Sequence, residues 1–268
     1  MTEEVITANT VTRISQREHI GWGIVEKDYY LTLLLDGIAH TLDLKNMIAF
    51  KGGTALRKSY FKDYRYSEDL DFTLKEKLTQ NKIENSLNKV FGYLKKEYNI
   101  EFTIKSVYAR PHFTDVKVQF TGLKGHKNTI TLDFMKDEIL VDQLKEREIF
   151  NPYYTKKFTI PTYSLNEIMA EKLRSLLQRT RIRDYYDTWY LLTHAKNKLD
   201  LEKVKYIFRK KTVYKKIKFT STTELINEEK LEQAQAYYEQ QLAHQLPNLP
   251  NFEIFAKQLI KHINQLEL

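Results

Sequence analysis

The segment Arg65 to Leu74, RYSEDLDFTL, sets two aspartates, Asp69 and Asp71, two positions apart in a run of strand character. Side chains at i and i+2 of a strand leave the same face about 6 to 7 Å apart, so both carboxylates share one surface while Leu70 and Phe72 turn to the other. Two such charges repel, and a divalent cation between them turns repulsion into ligation. A second alternating run, Thr129 to Phe134, puts Asp133 on a polar face with Thr129 and Thr131 while Ile130, Leu132 and Phe134 point inward. Three carboxylates from two strands can hold two Mg2+ or Mn2+ ions about 3.5 to 4 Å apart, one gripping a triphosphate and one activating a hydroxyl. An isolated Asp-x-Asp is commonplace on solvated strands. Here it follows Gly52-Gly53, where the short apolar strand MIAFK turns into a helix near Thr54. Small residues at a helix entrance let backbone N–H groups approach a phosphate, and the helix dipole favours its charge.

The rest of the chain organises around this core. Apolar residues recur at helical spacing from Ser15 to about Asp43, which reads as one or two amphipathic helices. Residues 82 to 98 read as a helix, and 100 to 108, 113 to 121 and 128 to 134 as strands of β-branched and aromatic composition. After NPYYTKKFTIPTYS, read as a polar, Pro-containing connection, the pattern is helical: 165 to 179, 184 to 195, 201 to 208, 227 to 245 and 251 to 266. The expected fold class is α+β, with a mixed-sheet domain over 1–160 and a helical domain over 161–268.

The 268 residues carry a formal charge of +8, which attracts polyanions such as nucleic acid or phosphorylated substrates. Zero cysteines exclude disulfides, thiolate zinc sites and cysteine nucleophiles, and fit a reducing cytoplasm. The first 20 residues lack the basic start and apolar run of a signal peptide. No uncharged apolar stretch approaches the roughly 20 residues that span a bilayer, so a soluble cytoplasmic protein is expected, with no membrane partner.

Leu165, Ile168, Met169, Leu173 and Leu176 form one apolar helical stripe, and Lys172 lies within it, either snorkelling to water or held for a purpose. Arg179, Arg181 and Arg183 alternate before the next helix and could clamp phosphate; Arg65 reads similarly. Asp184 could cap that helix and Asp187 could pair with a neighbouring arginine. From 203 to 218 the chain supplies eight basic residues, Lys210, Lys211, Lys215 and Lys216 among them, with no acid and with Tyr206, Phe208 and Tyr214 interleaved. Such a run fits an RNA backbone track with base stacking, or a solvated helix face. The seven histidines show no metal spacing, and no Ser-His-Asp order is identifiable.

Phe50-Lys-Gly-Gly-Thr-Ala-Leu-Arg57 followed by Arg65-Tyr-Ser-Glu-Asp-Leu-Asp-Phe72 closely resembles the signature of the AbiEii/AbiGii toxin family of nucleotidyltransferases. Leu165-Asn-Glu-Ile-Met-Ala-Glu-Lys-Leu173 resembles the family's lysine-bearing helix. Arg179-Thr-Arg-Ile-Arg-Asp-Tyr-Tyr-Asp-Thr-Trp189 resembles its Arg-Asp-x-x-Asp segment, and Val25-Glu-Lys-Asp-Tyr29 its early helix. The resemblance runs from about 20 to 195. It implies a polymerase-β-like nucleotidyltransferase fold and metal-dependent transfer of a nucleotide from an NTP to an RNA acceptor, with the tRNA 3′ end as the expected substrate. It also implies a toxin paired with an antitoxin protein. Ser67, Asp69 and Asp71 fall on the nucleotide and metal motif, Lys172 on the catalytic lysine, and Asp184 or Asp187 on the late acidic motif. The turn reads Gly52-Gly53-Thr54 where the wider superfamily expects Gly-Ser, so the phosphate-binding hydroxyl belongs to Thr54 or Ser67.

Two other readings use the same residues. One keeps the metals and transfers to protein, giving AMPylation or autophosphorylation at a site such as Ser67. The other is a module that binds RNA or an antitoxin without chemistry, against which the clustered acids argue, since an unused acidic trio is a liability.

Overall fold

Alternation of core and surface residues along its strands builds a seven-stranded mixed sheet in the computed structural model, which describes residues 6–268. The strands are β1 (Ile48–Lys51), β2 (Asp69–Leu74), β3 (Phe102–Ala109), β4 (Phe113–Thr121), β5 (Lys127–Met135), β6 (Lys145–Glu148) and β7 (Thr159–Thr162), in the order β3-β4-β5-β2-β1-β7-β6. β2 runs parallel to β5 and β1 parallel to β7, whereas the pairs β1/β2, β3/β4, β4/β5 and β6/β7 are antiparallel.

One face of the sheet is core. Phe50, Phe72 and Phe134 follow each other across β1, β2 and β5 with ring centroids 5.5 Å apart in each pair, and all three are fully buried. Each ring buries enough apolar surface to fix the register, because a slip of one residue would send the phenylalanines to the opposite face.

The helices of this unit are α1 (Ala8–Glu18), α2 (Trp22–His40), α3 (Leu42–Lys45), α4 (Gly52–Ser59) and α5 (Gln80–Tyr98). The expected amphipathic stretch from Ser15 is two helices, broken at Gly21, and α2 is buried on all sides from Val25 to Ala39 except at Lys27. A helix enclosed on every side must satisfy its own charges. Lys58 Nζ donates to Asp28 Oδ2 at 2.6 Å and Tyr153 Oη to the same oxygen at 2.7 Å, with Arg57 Nε 3.6 Å from Asp28 Oδ1. Burial pushes the Asp28 carboxyl up, but Lys58 and Arg57 outweigh it and hold it below its ordinary value. Asp28 of the Val25-Glu-Lys-Asp-Tyr29 segment is thus a buried anchor for α4.

The segment read as a polar connection contains one strand, β7, and a further short strand, β6, precedes it. Thr-Ile-Pro-Thr is too short to show a period, and it becomes a strand by pairing, Phe50 with Thr162 on one side and Glu146 with Pro161 on the other. The chain forms two compact units that divide at Tyr163/Ser164, and Ile139–Gln143 belongs to the second unit, not the first. A boundary at 160/161 would cut through β7.

The second unit contains α6 (Leu165–Gln178), α7 (Ile182–His194), α8 (Leu201–Tyr214), α9 (Glu228–Gln235), α10 (Tyr238–Leu242) and α11 (Phe252–Asn264). α8 runs six residues beyond the expected end at 208, and the helix expected over 227–245 is broken at Ala236–Tyr237. Ser164 caps α6 through a bond from the Glu167 amide, 3.1 Å. Glu167 accepts from the amides of Val141 and Asp142 at 3.2 and 2.7 Å and pairs with the buried Lys211 at 2.8 Å, which ties Ile139–Gln143 to α6 and α8. Among the described residues no helix is long and apolar enough to cross a membrane.

Candidate active site

The sheet face opposite the phenylalanines carries the acids. Asp71 pairs in parallel register with Asp133, and Asp133 pairs in antiparallel register with Asp115 of β4. Residues in register lie on the same face, so Asp115, Asp133 and Asp71 form one row across three adjacent strands, continued on β1 by Lys51 opposite Asp71. Asp69 lies on the same face two residues before Asp71, paired with Thr131. The three aspartates expected from the sequence therefore share one surface.

Asp115 was not singled out in the sequence. Its signal is the alternation of β4, in which Val116, Val118 and Phe120 are buried and leave Asp115, Lys117 and Gln119 to the polar face. The placement has an electrostatic consequence. Burial, then the negative charges of Asp71 and Asp115, a hydrogen bond with Asp115, and the charge of Asp69 together push the Asp133 carboxyl up to about 8.

Among the described residues no three Asp, Glu or His side chains are gathered at metal-binding distance. The aspartates share a face and a field without converging on a point. Their chemistry nonetheless suits a hard divalent cation: all are oxygen donors, and the repulsion that raises Asp133 is what a cation among them would relieve.

The glycine turn adjoins this row. α4 begins at Gly52, two residues earlier than the Thr54 start expected, and no side chain caps its first turn. Gly52 has φ +79°, and a Cβ there would lie 2.1 Å from Asp71 Oδ2, so only glycine lets the helix entrance press against the carboxylate. A Cβ on Gly53 would meet the Arg65 guanidinium at 2.5 Å and Ser67 Oγ at 3.4 Å. Arg65 is buried and donates to the Tyr66 carbonyl at 3.1 Å. The structure separates the two candidate hydroxyls. Thr54 Oγ1 donates to the Asp69 carbonyl at 2.5 Å, which locks α4 to β2, whereas Ser67 Oγ lies beside Gly53.

In the second unit, Lys172 Nζ lies 2.8 Å from Asp184 Oδ1 and 2.7 Å from Asp187 Oδ2. Arg179 Nε reaches Asp184 Oδ2 at 2.8 Å. Asp184 therefore does not cap α7, which starts after Arg181 without a side-chain cap, and Lys172 is a basic partner of Asp187. Burial raises the Asp184 carboxyl, but Lys172 and Arg179 outweigh it and hold it below its ordinary value. The lysine in the apolar stripe is thus an ionic partner of both late acids. Arg181 is exposed and Arg183 half-buried.

The basic segment needs one correction. Lys211 is fully buried and paired with Glu167, so it is a core cation and not an RNA contact. Lys210 and Lys216 are exposed, and Lys215 lies over the Tyr214 ring at 5.7 Å.

The fold is similar to that of MenT4, a nucleotidyltransferase toxin from Mycobacterium tuberculosis, with a TM-score of 0.67 and 19% identity over 98% of this chain and 90% of that one. Comparison with curated proteins gave no significant match. The family described as nucleotidyl transferase AbiEii toxin of type IV toxin–antitoxin systems matches residues 33–258, which contain both the aspartate row and the Lys172 helix. A match of that extent means that the chain belongs to the AbiEii nucleotidyltransferase toxins.

Proposed function

We propose that this protein transfers a nucleoside monophosphate from an NTP to an RNA acceptor hydroxyl, with a tRNA 3′ end as the acceptor, and that it acts in the cytoplasm as a toxin held in check by a cognate antitoxin protein. The observation that carries the reading is the Asp71–Asp133 register pair beside the uncapped, Gly52-led start of α4. In the reaction the acceptor oxygen bonds to the α-phosphorus, the bond from that phosphorus to the bridging oxygen breaks, and pyrophosphate leaves.

Asp69, Asp71 and Asp133 are the residues that would hold Mg2+ or Mn2+, which when bound supplies charge neutralisation at the triphosphate. The amides at the start of α4, with Gly52, Gly53 and the Ser67 hydroxyl, bind phosphate oxygens, and Arg65 stiffens the turn. Asp133 accepts the proton of the acceptor hydroxyl. Lys172 counters charge on the transferring group, with Asp184 and Asp187 holding its ammonium. Arg179, Arg181 and Arg183 serve phosphate or the RNA backbone. The formal charge of +8 supports a polyanionic acceptor over a protein one.

Incubation with each labelled NTP, Mg2+ and bulk tRNA tests the reading. Labelled RNA is expected, and absence of label from RNA with every NTP refutes it. Label on the protein instead, located by mass spectrometry, would favour AMPylation or autophosphorylation.

A further inference from the structure

We infer that the exposed face of α8 is the surface on which RNA docks, with Tyr206 and Tyr214 as stacking platforms and Arg209 and Lys210 as phosphate contacts. The inference deepens the RNA-acceptor reading and rests on it. At 3.6 residues per turn, positions 206, 209, 210, 213 and 214 share one side of the helix. The opposite side, Val204, Ile207, Phe208, Lys211 and Thr212, is buried. Exposed apolar groups are informative where they cluster, and on this side Tyr206 is 56% exposed, Val213 75% and Tyr214 42%. Three of the seven large hydrophobic side chains exposed among the described residues lie on this one face.

The charges point to the occupant. Lys203 is taken up by Asp142, Lys205 by Glu202 and Lys211 by Glu167. Arg209 and Lys210 have no carboxylate partner among the described residues, and Lys210 Nζ sits 5.4 Å from the Tyr206 ring centroid. No acid occurs between Lys203 and Lys218. Uncompensated cations alternating with exposed rings fit a polyanion with flat bases, since every base stacks on a ring whatever its sequence. The rings of Tyr206 and Tyr214 spring from backbone positions about 12 Å apart along the axis, so they meet different nucleotides.

Binding of a fluorescein-labelled tRNA to the full chain, followed by anisotropy across a salt series, tests the inference. Tyr206→Ala with Tyr214→Ala should weaken binding roughly tenfold or more without changing the salt slope. Arg209→Gln with Lys210→Gln should lower the slope of log Kd against log salt by about one to two. Tyr237→Ala, at an equally exposed tyrosine elsewhere in the unit, should change nothing, and thermal melts should match the parent for all variants. Affinity at the parent level in both α8 double variants overturns the inference, as does a parent that binds no tRNA at low salt. So does loss of affinity for a protein partner with tRNA binding intact. A parent that binds tRNA through this face but labels no RNA refutes the transfer reading and leaves docking standing. RNA labelling that is untouched by the α8 variants in rate and affinity does the reverse.

Discussion

Asp71 and Asp133 are register partners on adjacent parallel strands, far apart in sequence and on the same face of the sheet. Asp69 joins them from the same strand, and Asp115 from the strand beyond. A row of carboxylates held this way costs self-repulsion, and that cost is measurable.

Replacing Asp69 or Asp71 by Ala should lower RNA labelling on the order of 10²- to 10³-fold while leaving the fold intact. Initial rates with labelled NTP, beside a melting curve for each variant, check this. Activity within a few-fold of the parent in both variants would remove the metal role of the Asp-x-Asp pair.

The Asp133 carboxyl gives a pH signature. Its pKa is raised in the folded state to about 8 from an ordinary 3.8, so its contribution to stability is fully present below pH 4 and is lost as pH rises through 8. Asp133→Asn should therefore raise Tm by a few degrees at pH 8.5 and leave it nearly unchanged at pH 4. Added Mg2+ should raise the parent's Tm at pH 8.5 more than that of the variant. Calorimetry at the two pH values, with and without the ion, reads both effects.

Gly52→Ala puts a methyl group 2.1 Å from Asp71 Oδ2 at a backbone φ of +79°. A loss of about 1–3 kcal/mol in urea unfolding is expected, together with most of the activity. Gly53→Ala meets the end of the Arg65 side chain, which can move, and should cost less stability. A Gly52 variant as stable and active as the parent would show that the turn does not press on Asp71.

Lys172→Ala removes a cation shared by two buried carboxylates, Asp184 and Asp187, and should destabilise by about 3–5 kcal/mol. Lys172→Ala with Asp187→Asn should recover part of that stability without recovering activity, since the lysine is still missing. Chemical denaturation of the set distinguishes a stability role from a chemical one. Asp184 adds a pH test of opposite sign to that of Asp133. Its pKa is lowered by Lys172 and Arg179, so its stabilisation is present above pH 4 and falls away as pH drops through the lowered value, and Arg179→Ala should reduce that acid sensitivity.

Strand alternation alone determined which residues of Asp69–Phe72 and Thr129–Phe134 face the core, because the period of two is a local property of extended chain. The Gly52-Gly53 turn and the apolar stripe of α6 were legible for the same reason. What only the tertiary structure decided was partnership. Asp115 became part of the acidic row because β4 pairs with β5, and β7 became a strand because β1 and β6 lie beside it. In the sequence Lys172 lies in an apolar helical stripe and Lys211 in a basic run beyond the expected end of its helix. One proved to be the shared partner of two late acids and the other a buried clamp on Glu167, a difference that depends on which carboxylates long-range packing brings within about 3 Å. Periodicity carries the direction in which a side chain points, whereas its neighbour is supplied by chain segments distant in sequence.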